Sequence, residues 1–171
     1  MELSEVISKR YSVRKYAEKE IPEELMAEII EAGMLAPTAK NSQAQRVYVI
    51  NSAAGIEKIR SLCRSAYNAP VVLCFTANAD EVYKNPFEEG FNSGHQDCSI
   101  VATHMMLKAA ELGLGTCWVN HFPRAEVRQR FAIPENEELV LLMPLGYPAE
   151  DSVPSPRHAE SKAVEEVVKY L

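Results

Sequence analysis

The sequence predicts an α+β fold, a sandwich of helices on a mostly antiparallel sheet. Two observations predict the mixture: short apolar runs of strand length at residues 47–50, 71–75 and 139–143, and longer segments between them whose apolar residues recur at helical spacing. A third sets the scale. At 171 residues the chain fits one domain, residues 1–171, long enough to bury a sizeable core.

The elements follow in order. Leu3, Val6 and Ile7 give a short first helix over residues 3–10, with Ser4 and Glu5 at its start and Arg10 where it unwinds. Pro22 opens a second helix with Glu23 and Glu24 in its first turn, a stripe of Leu25, Met26, Ile29, Ile30 and Met34, and a stop at Pro37. A polar loop at 38–45 leads to a strand at 47–50. A helix through Ile56, Ile59 and Leu62 separates it from a central strand at 71–75 that is apolar on both faces. Residues 81–94 mix Pro86, Gly90 and Gly94 with acids and aromatics and read as a surface excursion, a candidate lid.

Residues 97–112 form a helix with Asp97 as cap and Gly113 as stop. Its apolar residues run nearly all the way round, which fits either a central core helix or, as we favour, one at a dimer interface. A short strand at 116–119, a helix at 124–131 and a further central strand at 139–143 complete the core pattern. After Gly146 the chain is proline-rich, then ends in an amphipathic stretch through Val164, Val167, Val168 and Leu171.

Composition narrows the function. A hydrophobic fraction of 47% with 25% charged residues is that of a soluble globular protein, and no apolar run is long enough to cross a bilayer. No secretory signal opens the chain, so a cytoplasmic location is expected. A net charge of −6 disfavours nucleic acid and anionic membranes as partners, while a small anionic ligand needs only a few clustered bases. Cys63, Cys74, Cys98 and Cys117 are scattered and read as buried thiols; Cys117 and His121 lack further ligands for a metal.

The run Lys9-Arg10-Tyr11-Ser12-Val13-Arg14 places two fixed cations around a hydroxyl at every second position. On an extended chain Arg10, Ser12 and Arg14 share a face while Val13 packs behind, and arginine forks suit phosphate oxygens or the acceptor edge of a heterocycle. Taken alone, the run reads as the solvated end of a helix before it reads as a binding site. Three later motifs accompany it in order: Ala36-Pro37-Thr38-Ala39-Lys40-Asn41-Ser42-Gln43, Gly113-Leu114-Gly115-Thr116-Cys117-Trp118-Val119 and Pro144-Leu145-Gly146-Tyr147-Pro148. With the basic tail at Pro156-Arg157-His158, this ordered set resembles the FMN-dependent nitroreductase family over nearly the whole chain.

The resemblance implies a nitroreductase-like α/β/α sandwich that works as an intertwined homodimer with FMN at the subunit boundary. It implies that Arg10 reaches the phosphate, Ser12 the ribityl chain or ring edge, and Arg14 the N1/O2 side of the ring, with Tyr11 in the same contact set. Pro37, Thr38, Ala39 and Asn41 match a loop given by the partner subunit, while Gln43 holds that loop in shape; on the residues alone the loop reads as a polar turn at a helix end. Trp118 and Val119 stand at the pocket wall, and a backbone N–H near Asn120 and His121 faces the ring nitrogen N5. The His121 side chain reads as an acid or as a plain loop residue. Arg157 and, on a looser match, Lys162 belong to the phosphate clamp; Ser161 and Ala163 depart from the family pattern. No Gly-x-Gly-x-x-Gly dinucleotide fingerprint appears, so NAD(P)H is expected to bind transiently where a nitroaromatic or quinone acceptor also binds. A flavin storage or sensing protein is the alternative.

Overall fold

The computed structural model describes residues 2–171. Four antiparallel strands, β1 (Gln45–Ile50), β2 (Val71–Asn78), β3 (Gly115–Thr116) and β4 (Glu137–Gly146), form one sheet in the order β1-β2-β4-β3. Helices cover both faces. On one side α2 (Glu23–Met34) and α4 (Gly94–Glu111) bring Ile29, Cys98, Val101 and Met105 onto Leu73, Phe75, Leu141 and Met143. On the other, α3 (Ala53–Leu62) and α5 (Arg124–Phe131) bring Ile56, Ile59 and Val127 onto Val72, Cys74 and Leu142. The split of alternate β2 residues between two cores is the period-two rule of a strand buried on both faces. Each of the fully buried large side chains contributes about 1.5–3 kcal/mol, so these two layers hold most of the fold's stabilisation. A bulge leaves Val140 without a partner opposite the Phe75/Thr76 step, which lets Val140 and Leu141 face the same core.

The predicted strand at 116–119 is shorter than its apolar run. Its register on β4 continues from Gly115↔Gly146 and Thr116↔Leu145 to the Val119↔Leu142 bridge, but between them Cys117 N–H donates to Pro144 O, and Pro144 has no N–H to return. The central helix starts earlier than its acidic residue suggests. Ser93 stands at the cap position and α4 begins at Gly94, so Asp97 lies inside the first turn with another task. The C-terminal amphipathic stretch forms a single turn, α6 (Val164–Val167), and its Val164, Val167 and Val168 stay exposed because nothing among the described residues covers them.

After α1 (Leu3–Lys9) the chain turns extended at Arg10 (φ −61°, ψ 144°) and runs along the β3/β4 edge. Ser12 bridges Thr116, Val13 N–H donates to Thr116 O at 2.9 Å, and Ala17 N–H donates to Tyr147 O at 2.9 Å. Its seat is the cross-strand pair Gly115 and Gly146. A Cβ on Gly115 would collide with the Val13 side chain, 2.8 Å from its Cβ, and one on Gly146 would lie 2.9 Å from the Tyr16 ring. Hydrogen atoms at these two positions therefore let Val13 and Tyr16 sink to near-complete burial. No helix is long and apolar enough to cross a membrane among the described residues.

Candidate functional site

With Val13 and Tyr16 turned into the protein, their neighbours turn out. Arg10 lines a cavity of about 150 Å³ with Lys9, Gly113, Gly115 and Thr116. Ser12 and Arg14 line a second, of about 400 Å³, whose far wall is Ser152, Pro154 and Pro156. Tyr11 is the strut at this corner: its hydroxyl donates to Ser152 O at 3.1 Å, and Lys15 pairs with Asp151 at 2.5 Å, so two side chains of the segment hold the proline-rich strap in place.

Arg14 donates to Ser12 O at 3.1 Å, and neither Arg10 nor Arg14 has a carboxylate partner among the described residues. Behind Arg14 lie Tyr67 and Cys117. Burial pushes the Tyr67 phenol up, and the Arg14 guanidinium pulls it part of the way back. Burial likewise raises the Cys117 thiol against the opposing pull of Arg14. Both groups therefore keep their protons at neutral pH, and Cys117 is a packing residue and not a thiolate nucleophile. Asn68, which sequence reasoning missed, clamps the backbone of Tyr16 from both sides: its Oδ1 accepts from Tyr16 N–H at 2.9 Å and its Nδ2 donates to Tyr16 O at 2.6 Å. Nothing in its sequence neighbourhood marks that role.

The other predicted residues divide by place. Trp118 packs half-buried against the α2/α4 core and Val119 is buried in the opposite one. Beyond them Asn120 and His121 are exposed, and their backbone N–H groups donate to no group among the described residues, while Cys63 Sγ donates to His121 O at 3.5 Å. Arg157 and Lys162 are exposed in the C-terminal tail; Arg157 directly follows Pro156 on the cavity wall and Lys162 lies outside both cavities.

Pro37, Thr38, Ala39 and Asn41 are elsewhere. Their loop sits at the N-terminal end of α4, where Ala39 N–H donates to the Asp97 carboxylate at 2.9 Å, whereas the Arg10 cavity sits at the other end, against Ala110, Gly113 and Leu114. Asp97 and Ala110 are separated by a helical rise of about 20 Å at 1.5 Å per residue. Within one chain the two groups of predicted residues do not meet.

Comparison with known proteins bears on the fold and the family. The family model described as the nitroreductase family matches residues 7–67 and 62–147. A protein of Methanothermobacter thermautotrophicus, provisionally named NADH dehydrogenase/NAD(P)H nitroreductase, is 34% identical over 160 residues, covering 88% of this chain and 80% of its own. The crystal structure of a nitroreductase family protein from Clostridium difficile 630 superposes with a TM-score of 0.92 at 33% identity, over 99% of this chain and 98% of that one. The same fold at 19% identity, with a TM-score of 0.86 over 100% of this chain and 98% of that one, occurs in a provisionally assigned nitroreductase from Exiguobacterium sibiricum crystallised in complex with FMN. The fold, the extended basic segment on its glycine seat and the family match over residues 7–147 together establish that this chain belongs to the nitroreductase family.

Proposed function

We propose that the protein is an FMN-dependent NAD(P)H oxidoreductase that reduces small acceptors such as nitroaromatics or quinones and works as a homodimer. The observation that carries this reading is the extended segment of residues 10–16, locked to the sheet edge so that Arg10, Ser12 and Arg14 face open cavities while Val13 and Tyr16 are buried. The residues present fit FMN. Its dianionic phosphate suits Arg10 beside Lys9, with Arg157 at the end of the strap; its ribityl hydroxyls suit Ser12; and its ring suits a site with the fixed Arg14 cation and the unpaired backbone donors of Asn120 and His121. When bound, FMN supplies a reversible two-electron carrier, which allows NAD(P)H and the acceptor to use one pocket in turn.

The chain's own contribution is electrostatic and steric. Arg14 holds a permanent positive charge at the cavity wall, and a preorganised cation favours any state in which negative charge has grown beside it. The protonated Tyr67 and Cys117 close the space behind it without offering a competing base. Asn68 and the glycine pair keep Arg14 in place through the backbone.

The separation along α4 supports the dimer. If the Pro37 to Asn41 loop belongs to the cofactor site, a second chain must supply it, with its α4 running roughly antiparallel. The exposed apolar residues Ile7, Ile30, Met34 and Ile100 on helices beside or within this layer, with Leu35 just past the end of α2, are the surface such a partner would cover. The decisive test is the absorption spectrum of purified protein before and after anaerobic NADH. A visible flavin band that NADH bleaches is expected, with intact FMN released on denaturation; a colourless protein that takes up no added FMN refutes the proposal. A flavin band that neither NADH nor NADPH bleaches would favour a storage role.

A further inference from the structure

We propose that Asp97 is the positioning residue of the cofactor loop, holding the turn at residues 38–43 in the conformation that presents Thr38 and Asn41 to the partner's site. The proposal rests on the reading that this loop completes the cofactor site of a second chain. Asp97 is 2% exposed, and no cation pairs with it among the described residues. A carboxylate in that position persists only with its oxygens satisfied. One oxygen accepts from Ala39 N–H at 2.9 Å and the other from Ser93 Oγ at 2.6 Å, while the first turn of α4 favours its charge.

The loop itself explains why such an anchor exists. Lys40 (φ 51°), Asn41 (φ 55°) and Gln43 (φ 49°) all occupy the left-handed region, which asparagine tolerates but lysine and glutamine adopt only where their surroundings impose it. Gln43 N–H to Thr38 Oγ1, at 3.1 Å, closes the turn on itself, and Arg46 to Gln43 O, at 3.2 Å, secures its exit. The Ala39–Asp97 bond ties the turn to a helix at its start. Through Ser93, whose N–H donates to Tyr83 O at 2.9 Å, and through Lys40 over the Tyr83 ring at 5.1 Å, the same anchor joins the loop to the connection between β2 and α4.

The test compares Asp97→Ala, Asp97→Asn and Ala39→Pro, each checked for dimer state and far-ultraviolet circular dichroism. The asparagine keeps an oxygen for Ala39 and a donor for Ser93 Oγ. The proline removes the loop's donor without touching the helix, and Thr38 already has the extended backbone (φ −130°, ψ 156°) that precedes a proline. Asp97→Ala and Ala39→Pro are expected to weaken FMN binding by about tenfold to a hundredfold, the worth of a hydrogen bond to a charged group, and to alter the visible circular dichroism of bound flavin at saturation. Asp97→Asn is expected to restore both. A hybrid dimer of one Asp97→Ala chain and one Arg10→Ala chain is expected to keep one tight FMN site, because both defects then fall on the other site. Wild-type affinity and visible dichroism in Asp97→Ala and Ala39→Pro, or a hybrid without a tight site, overturns the proposal. Failure of the wild-type protein to bind FMN would instead refute the cofactor reading and take this proposal with it.

Discussion

Gly115→Ala tests the seat on which the basic segment lies. The new Cβ would meet both Val13 Cγ2 and Val13 Cβ, the latter at 2.8 Å, and Pro148 Cγ at 3.2 Å. Overpacking of this kind costs about 1–3 kcal/mol. Alanine regains about 0.5–1 kcal/mol from the reduced freedom of the unfolded chain, so the net loss lies between about 0 and 2.5 kcal/mol. Val13→Ala deletes two buried methyl groups, worth about 1.6 kcal/mol in transfer, and leaves a small cavity that brings the loss to about 2–3 kcal/mol. The double variant should not lose the sum, because the added methyl enters the space that Val13 vacates. A coupling of about 1–2 kcal/mol in favour of the double variant is expected. Urea unfolding of the four FMN-free proteins at one protein concentration, followed by Trp118 fluorescence, measures it. FMN affinity should fall in Gly115→Ala and partly recover in the double variant, since displacing Val13 displaces Ser12 and Arg14. Additivity within about 0.5 kcal/mol, or a stabilised Gly115→Ala, would show that the glycine is not kept for this contact.

Arg10→Ala is expected to weaken FMN retention by about 1.5–3 kcal/mol, the worth of one charged hydrogen-bonding contact, as read by titration of the FMN-free protein. Arg14→Ala, reconstituted with excess FMN, should instead slow the bleaching of the flavin band by NADH in anaerobic stopped flow; a wild-type rate with an unchanged flavin potential refutes its electrostatic role. Sedimentation at low protein concentration should show a dimer, and Ile100→Glu should shift it toward monomer with loss of flavin; a wild-type monomer that retains flavin and activity contradicts the split site. At alkaline pH the Tyr48 phenol, pushed up to about 12 by burial and by its 2.8 Å bond to Glu137, stays protonated in the fold after the unfolded chain has ionised. Its contribution to stability is therefore complete below pH about 10 and lost as the pH rises toward 12. Tyr48→Phe should flatten that part of the stability profile measured in urea, and an unchanged slope would remove Tyr48 from the account.

The sequence by itself determined the elements and their type. Apolar runs at residues 71–75 and 139–143 became the central strands because a strand buried on both faces needs nothing but local composition to be recognised. Arg10 left its helix where the periodicity ended, and Val13 turned inward because an extended chain alternates. The ordered motifs also pointed to the family.

Tertiary structure decided what depends on residues far apart in the chain. The strand order β1-β2-β4-β3 comes from pairings across as many as 74 positions, as in Val71↔Leu145, and the break after Thr116 comes from a proline on another strand. Asn68 acquires its role only through Tyr16, 52 residues away, and Asp97 changes from an expected cap to the anchor of a loop 58 residues away. The resemblance already assigned the Asn41 loop to a second chain, but the length of helix that separates Arg10 from Asn41 could not be read from two motifs in the first quarter of the chain. A helix rigid over 18 residues sets them at its two ends, and that distance is a property of the fold.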